Sequence, residues 1–479
     1  MVFSSELFLF VFLPAFLLIY SAAPQRWRNG VALSGSLVFY AWGAPRFVWV
    51  LLASTWIDYW LSHRIHAEPD RAAKKKWLHF SLFANLALLL YFKYANFFVD
   101  QAQLFADLMG LGTIPWAKVL LPIGISFFTF QKISYVVDVF RGTASPSRSY
   151  GECLLYVVLF PQLIAGPIVR YHDVEPQIRE RSVDAAKFWS GVERFTLGLG
   201  KKVLIANPMA QVCDTVYAVP IYELSTPHAW LAALAYYFQI YFDFSGYSDM
   251  AIGTGRMLGF DFLENFDRPY VAKTFTEFWR RWHISLSNFM REYVYIPLGG
   301  NRVSPLRGFA NLWLVFLVSG FWHGASWTFV AWGAFQGVFL TIDKLGWLDA
   351  SQRVPALLLR AKMAFLVTIS WVVFRADTMA QAAAMLGRMF GTTGPRWWES
   401  ILAHMLQLDA QACALFTVAA LVVFLPASER WLAFERRALA WGQTAWGFPI
   451  KIAMVFALLV LSCNAVVNSS HNPFIYFRF

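Results

Sequence analysis

Charge is scarce in this chain: only 14% of its 479 residues are Asp, Glu, Lys or Arg. A soluble globule spends about a quarter of its residues on charge, so a water-exposed domain of this length is excluded. Cysteine is nearly as scarce. The four present, Cys153, Cys213, Cys413 and Cys463, form no CxxC pair and no metal-ligand spacing. A disulfide framework and a cysteine metal centre are therefore excluded, and the thiols read as small apolar side chains. The chain also lacks a long polar block, a low-complexity linker and an internal repeat, and its apolar segments lack the dyad alternation of barrel strands. What it has is apolar surface: 58% hydrophobic residues, 18% aromatic, and a mean hydropathy of +0.48. Apolar stretches approaching the roughly 20 residues that cross hydrocarbon recur from residue 6 to residue 470. Open sheets cannot face lipid, so the expected fold class is all-α: a polytopic integral membrane protein, one multi-span domain over residues 1–479.

The net charge of +11 invites a nucleic-acid reading, but its distribution opposes one. The basic residues gather in short loops, Arg64 to Lys76 and Arg430 to Arg437, as cytoplasmic anchors do. The bilayer is the expected partner, and no nucleic acid is. The first segment, Leu7 to Ala23, follows no positive charge and precedes Arg26 and Arg28. That pattern predicts a retained helix with an extracytoplasmic N-terminus.

Spans are expected at 6–22, at a pair over 30–62 broken at Gly43-Ala44-Pro45, and at 77–98. The stretch 117–140 carries Pro122, Gly124, Ser126, Thr129, Gln131 and Lys132, so it should line an interior rather than face lipid. Residues 151–169 end in two prolines and a glycine, which suits a broken or re-entrant helix. The block 229–263 is interrupted by Asp243, Asp249 and Arg256. Residues 264–307 mix charges with tryptophans and tyrosines and read as interfacial helices. Further blocks follow at 308–342, 356–374, 379–426 and 448–470.

Among nine histidines, most lie beside charges or in loops: His63, His66, His172, His228 and His471. His323 differs. It sits within an uncharged run from Gly308 to Ile342, bracketed by Gly320 and Gly324. A single straight helix of that run would reach roughly 50 Å, so a break at Gly320 to Gly324 is expected, with His323 where two helices meet. An ionisable ring at membrane depth is costly and marks a functional site, against the alternative of a helix-to-helix hydrogen bond. A neutral imidazole there can take a proton from a hydroxyl and return it to a leaving group.

A second cluster runs from Thr276 to Ser287. On a continuous helix Arg280 and His283 share a face, as do Glu277 and Arg281, so local ion pairs are an equal reading. Metal binding is not expected, because His283 and His323 lack a third ligand or an HExxH spacing. The third cluster holds Asp243 and Asp249, six residues apart, with Ser245-Gly246 as a possible helix break between them. A supporting role, orienting a base or pairing with Arg256, outweighs direct catalysis. Gly253-Thr254-Gly255 with Gly259 follows no strand, so close helix packing is the better reading than a phosphate loop.

Together the motifs YFDFSGYSDMAIG (241–253), EFWRRWHISLS (277–287), YIPLGGNR (295–302) and GFWHGA (320–325) resemble the membrane-bound O-acyltransferase family. LPIGISFF (121–128) and AGPIVR (165–170) look like further family segments. The match is nearest the bacterial polysaccharide branch, which includes alginate O-acetylation and teichoic acid D-alanyl transfer. The resemblance implies a ring of helices around a funnel and tunnel in the bacterial inner membrane. It makes His323 the catalytic residue and His283 a second, less universal active-site histidine; the residues' own chemistry puts Arg280, Arg281, Trp322, Asp243 and Asp249 in support. It implies acetyl-CoA or another acyl thioester as cytoplasmic donor, an alginate-like exported polysaccharide as acceptor, and periplasmic O-acetyltransferase proteins as partners. No permanently bound cofactor or metal is implied, and the residues that would bind the donor are not identified.

Two readings compete. One keeps the family and changes the group to D-alanyl on teichoic acid; the other is a lipid-linked sugar transporter or flippase without covalent chemistry, which would show inverted half-repeats. The tail, residues 471–479, follows the basic stretch at Arg430 to Arg437 and one last span, which predicts an extracytoplasmic C-terminus. Its Tyr476 is a candidate acyl relay, since a phenol of pKa about 10 leaves more readily than a sugar hydroxyl. An aromatic belt anchoring the terminus is the plainer alternative.

Overall fold

A computed structural model describes residues 1–164, 166–391, 410–469 and 471–473. All regular structure among them is helical, and no strand occurs. Among the described residues, three helices are long and apolar enough to cross a membrane: Arg71–Leu108, Ala356–Arg375 and Gly447–Asn468. A fourth span arises if Ala412–Ala427 and Glu429–Trp441, bent by 99°, are taken together. The protein is a polytopic membrane protein. Its contacts divide it into two units, Met1–Val192 with Ala251–Leu263, and Glu193–Met250 with Glu264–Phe479.

In the first unit, α1 (Leu13–Ala22), α2 (Arg28–Gly43) and α3 (Val48–Ala67) lead to α4 (Arg71–Leu89) and α5 (Ala95–Leu108). The expected break at Gly43 to Pro45 is present, with Ala44 leaving the helical region at φ −147°. The supposed basic loop from Arg64 to Lys76 is largely helical. Only Glu68 to Asp70 interrupt it, and Asp70 caps α4 by accepting from the Ala73 amide at 2.8 Å. A π-helical turn at Leu90–Tyr94 joins α4 to α5, making one 38-residue helix in place of the expected 77–98. Neither glycine nor proline occurs between Arg71 and Leu108 to stop it.

The expected helix over 117–140 begins only at Ile125, as α6 (Ile125–Arg141), because Gly124 turns through φ +77°. Nearly every α6 residue is buried, Thr129, Gln131, Lys132 and Ser134 among them, as its polar residues predicted. Lys132 pairs with Asp58 at 3.6 Å, and Asp58 also accepts from Ser81 at 2.6 Å and Asn85 at 2.9 Å. A buried ion pair needs such added hydrogen bonds to offset desolvation. The expected broken helix follows as α7 (Tyr150–Val158) and the single turn α8 (Phe160–Leu163), interrupted at Leu159. The unit's remaining helix is α9 (Tyr171–Arg179), and α10 (Ala185–Gly200) begins here and ends in the second unit.

The second unit holds α11 (Asn207–Tyr217) and most of α12 (Thr226–Met257). α12 runs unbroken through Ser245-Gly246, against expectation. Gly246 serves packing instead: a Cβ there would lie 2.7 Å from the Gly198 carbonyl on α10, so the two backbones touch as small-residue helix pairs do. Residues 264–307 form α13 (Phe275–Arg281), α14 (Ile284–Phe289) and a π-helical turn at Met290–Tyr295. Their aromatic residues Phe275, Phe278, Trp279 and Trp282 lie in the unit's core. Next come α15 (Pro305–His323), α16 (Trp327–Ile342), α17 (Leu348–Ser351), α18 (Ala356–Arg375), α19 (Met379–Phe390), α20 (Ala410–Phe424), α21 (Glu429–Trp441) and α22 (Gly447–Asn468). Arg430 to Arg437 thus belong to a helix, α21, rather than a loop.

Candidate functional site

The run 308–342 breaks, as its length required, within the expected Gly320 to Gly324 and at its far end. α15 continues to His323 itself, Gly324 is extended, and Ser326 caps α16 by accepting from the Thr328 amide at 3.3 Å. Gly320 stays helical because α16 returns against it. A Cβ on Gly320 would meet the Phe329 carbonyl inside 3.0 Å and the Gly333 Cα at 3.1 Å. This glycine contact lets α15 and α16 pack backbone to backbone and fixes the end of α15.

His323 is 7% exposed and enclosed by rings. Trp322 lies 5.0 Å away centroid to centroid, and Trp332 of α16 and Phe374 of α18 each lie at 5.3 Å, both edge-on. Such a shell excludes water and lowers the local dielectric, which strengthens any charge that develops inside it. The four residues come from three helices, so the shell is a product of tertiary packing.

His283 is the second imidazole, 6.5 Å from His323 centroid to centroid and fully buried. Its ring stands edge-on to Phe244 at 4.6 Å. α13 delivers it: Thr274 caps that helix, and Asp343 accepts from the Thr276 amide at 2.7 Å and hydroxyl at 2.9 Å. α13 ends at Arg281, Trp282 is extended, and His283 adopts φ +44°, in the left-handed region. A non-glycine residue held there stores strain that its surroundings must overdetermine. They do so through a strap in which the Asp267 amide donates to the Arg281 carbonyl at 2.9 Å and the Ile284 amide to the Asn265 carbonyl at 3.0 Å. The Asn265 side chain reaches the ring itself, with Oδ1 3.0 Å from His283 Nδ1.

The left-handed turn corrects the expectation that Arg280 and His283 share a helical face. Arg280 is exposed while His283 is buried. Arg281 forms the expected pair with Glu277 at 3.1 Å and a second with Asp267 at 3.2 Å. His283 lies in neither a long helix nor a span; burial holds its imidazole well below the ordinary histidine range, with His323 acting in the same direction. It is therefore neutral at physiological pH.

Asp243 and Asp249 take cations from the α10–α11 stretch. Asp243 pairs with Lys202 at 2.8 Å, both buried, and Asp249 with Lys201 at 2.6 Å and Arg194 at 2.7 Å. Both aspartates thus brace α12. Gly253 takes the packing role expected, since a Cβ on Gly191 would lie 2.6 Å from its carbonyl. His228, grouped with surface histidines by sequence, is buried with Nδ1 2.7 Å from Ser225 Oγ. Lys202 also donates to the carbonyl of Pro473, and Asn207 to Asn472 at 3.2 Å. Tyr476 lies outside the described residues. Among the described residues, none of the four cysteines forms a disulfide.

A cavity of about 170 Å³ opens one helical turn from His323, lined by Trp279, Leu286, Ser287, Met290, Phe316 and Ser319, with Arg291 and Tyr295 also on its wall. Its lining contains no carboxylate. Sequence reasoning missed Asn265, Trp332 and Phe374. No local signal marks them, since each reaches a histidine only through chain reversal or helix packing.

The model of the membrane-bound O-acyltransferase family matches residues 79–375, which include both histidines. The chain belongs to the membrane-bound O-acyltransferase family. A probable alginate O-acetylase of Pseudomonas putida is 41% identical over 493 aligned residues, covering 100% of both chains. A peptidoglycan O-acetyltransferase of Helicobacter pylori is 32% identical, over 100% of this chain and 98% of that one. A teichoic acid D-alanyltransferase of Bacillus subtilis is 24% identical over 53% of this chain and 67% of its own. As a family member this protein is an acyltransferase, and the chemistry to seek around its two imidazoles is acyl transfer to oxygen.

Proposed function

We propose that this O-acyltransferase transfers an acetyl group from acetyl-CoA, or a related acyl thioester on the cytoplasmic side, toward a hydroxyl of an exported, alginate-like polysaccharide. The observation that carries the reading is the pair of buried imidazoles, 6.5 Å apart in an aromatic shell, in a chain alignable end to end with O-acetylating relatives. That separation is too long for a direct hydrogen bond between the rings, so the pair would act together only through a substrate atom bridging them.

In the proposed reaction His323 takes the proton of the acceptor hydroxyl as its oxygen attacks the thioester carbonyl. The tetrahedral intermediate collapses, the carbon–sulfur bond breaks, and the thiolate leaves with the proton from the imidazolium. Ester and thiol are the products. Tyr476 is the proposed relay that carries the acyl group outward as a tyrosyl ester, from which periplasmic O-acetyltransferase proteins would complete transfer to polymer. The protein would sit in the bacterial inner membrane with both termini extracytoplasmic, as one multi-span domain.

D-alanyl transfer is the nearest competitor. It would bring an ammonium group into the site, and the neighbouring cavity offers Arg291 and no carboxylate, which favours an uncharged acetyl group. Incubation of the purified protein with labelled acetyl-CoA, followed by peptide mapping, tests donor and relay together. Label retained in the wild type and lost in Tyr476→Phe is expected; normal polymer acetylation by Tyr476→Phe overturns the relay. Normal polymer acetylation by His323→Ala overturns the central assignment.

A further inference from the structure

We infer that Asn265 is a positioning residue that locks His283 in the tautomer protonated on Nδ1, leaving the ring's lone pair on Nε2. Asn265 is fully buried and makes contacts that identify each atom of its amide. The Ser285 backbone N–H, which can only donate, points to one side-chain atom of Asn265 at 3.2 Å. That atom is therefore the carbonyl oxygen, Oδ1. The same oxygen accepts from Ser285 Oγ at 2.8 Å and faces His283 Nδ1 at 3.0 Å. Nδ2, on the other side, donates to Ser248 Oγ of α12 at 3.0 Å.

An oxygen acceptor opposite Nδ1 requires a proton on Nδ1. A neutral imidazole carries one ring proton, so Nε2 is the hydrogen-bond acceptor. The orienter works twice. Its backbone carbonyl receives the Ile284 amide, which holds the left-handed turn at His283, and its side chain sets the ring's proton. While neutral, His283 can then only accept through Nε2; with the acceptor hydroxyl's proton taken by His323, its part is to hold another donor of the bound substrates rather than to act as the base. The inference rests on the proposed acyl-transfer role of the histidine pair for its kinetic consequence, but the tautomer stands without it.

The test is ¹⁵N magic-angle-spinning NMR of [¹⁵N]histidine-labelled protein in lipid, with the His283 signals assigned by their loss in His283→Gln. The expected wild-type spectrum at pH 8 has His283 protonated on Nδ1 and bare on Nε2; the opposite tautomer overturns the inference without any Asn265 variant. Asn265→Ala is expected to scramble the tautomer and lower kcat by about 10- to 10²-fold, the range of a misplaced active-site group, with KM little changed. Asn265→Asp keeps an acceptor at the same place, restores the Nδ1–H tautomer and adds a negative charge beside the ring. It should recover activity with the acid limb of the pH–rate profile moved to higher pH, because the carboxylate favours imidazolium. Unchanged kcat in Asn265→Ala, or an unshifted acid limb in Asn265→Asp, refutes the positioning role. If instead the tautomer is as stated and His283→Gln transfers acyl groups normally, the role of the histidine pair fails and the tautomer lock stands.

Discussion

Gly320→Ala places one methyl group where α15 and α16 meet. The added Cβ would lie inside 3.0 Å of the Phe329 carbonyl and 3.1 Å from the Gly333 Cα. Both are backbone atoms of a helix, so no side chain can swing aside. The helices must separate by on the order of half an ångström, and overpacking of this kind costs about 1–3 kcal/mol. The higher helix propensity of alanine offsets about 0.5–1 kcal/mol of that, leaving a loss of up to roughly 2.5 kcal/mol. His323 lies three residues further on, about 4.5 Å along the axis, and its ring is seated against Trp332 of the helix being pushed away. A misplacement near 1 Å can cost about 10²-fold in rate, so about a 10-fold fall in acyl transfer is expected for half that shift. Gly387→Ala on α19 is the control. Nothing lies within 4 Å of its added Cβ, so wild-type activity and equal or slightly higher stability are expected. Labelled acyl transfer by protein in lipid vesicles, with thermal unfolding of the same preparations, reads both quantities. Wild-type rate and unfolding temperature in Gly320→Ala would refute the argument that this contact positions His323.

Lys202→Met removes one member of a fully buried ion pair and should destabilise the second unit by about 3–5 kcal/mol; the double variant Lys202→Met, Asp243→Asn should recover part of that loss in thermal unfolding, and a double variant as unstable as the single one would show the pair is not the cause. With burial holding His283 below the ordinary histidine value, its neutral, accepting form persists as pH falls. The acyl-transfer rate should be flat from pH 7 to 8 and drop on the acid side only below about pH 6.5, so an acid limb centred above neutrality contradicts the neutral shell. Ser326→Ala removes the cap of α16 and should cost about 0.5–2 kcal/mol, seen as a lower unfolding temperature. Ser319→Leu should fill part of the cavity beside His323 and slow transfer of longer acyl groups more than acetyl; competition between labelled donors measures the ratio, and equal slowing would separate that cavity from acyl binding.

Much was legible in the order of residues alone. Membrane residence, helical class and family follow from composition and motif, because hydrocarbon forbids unpaired backbone and leaves few alternatives. The burial of α6 was readable because polar residues within an apolar run cannot face lipid, and the elbow at His323 because the uncharged run 308–342 exceeds one span. Pairings across distance were not readable. Ser245-Gly246 suggested a helix break and Asp243 and Asp249 a pairing with Arg256, yet their cations are Lys202, Lys201 and Arg194, since α12 runs unbroken and α10 packs on it through Gly198 and Gly246. Arg280 and His283 promised one helical face, and the left-handed turn at His283 sends one to the surface and the other to the interior. Sequence patterns carry the period of a helix and the cost of burying a charge, both local. Which donor meets which acceptor depends on where chain reversals bring distant residues, so Asn265 opposite His283, and Trp332 and Phe374 around His323, belong to the tertiary structure alone.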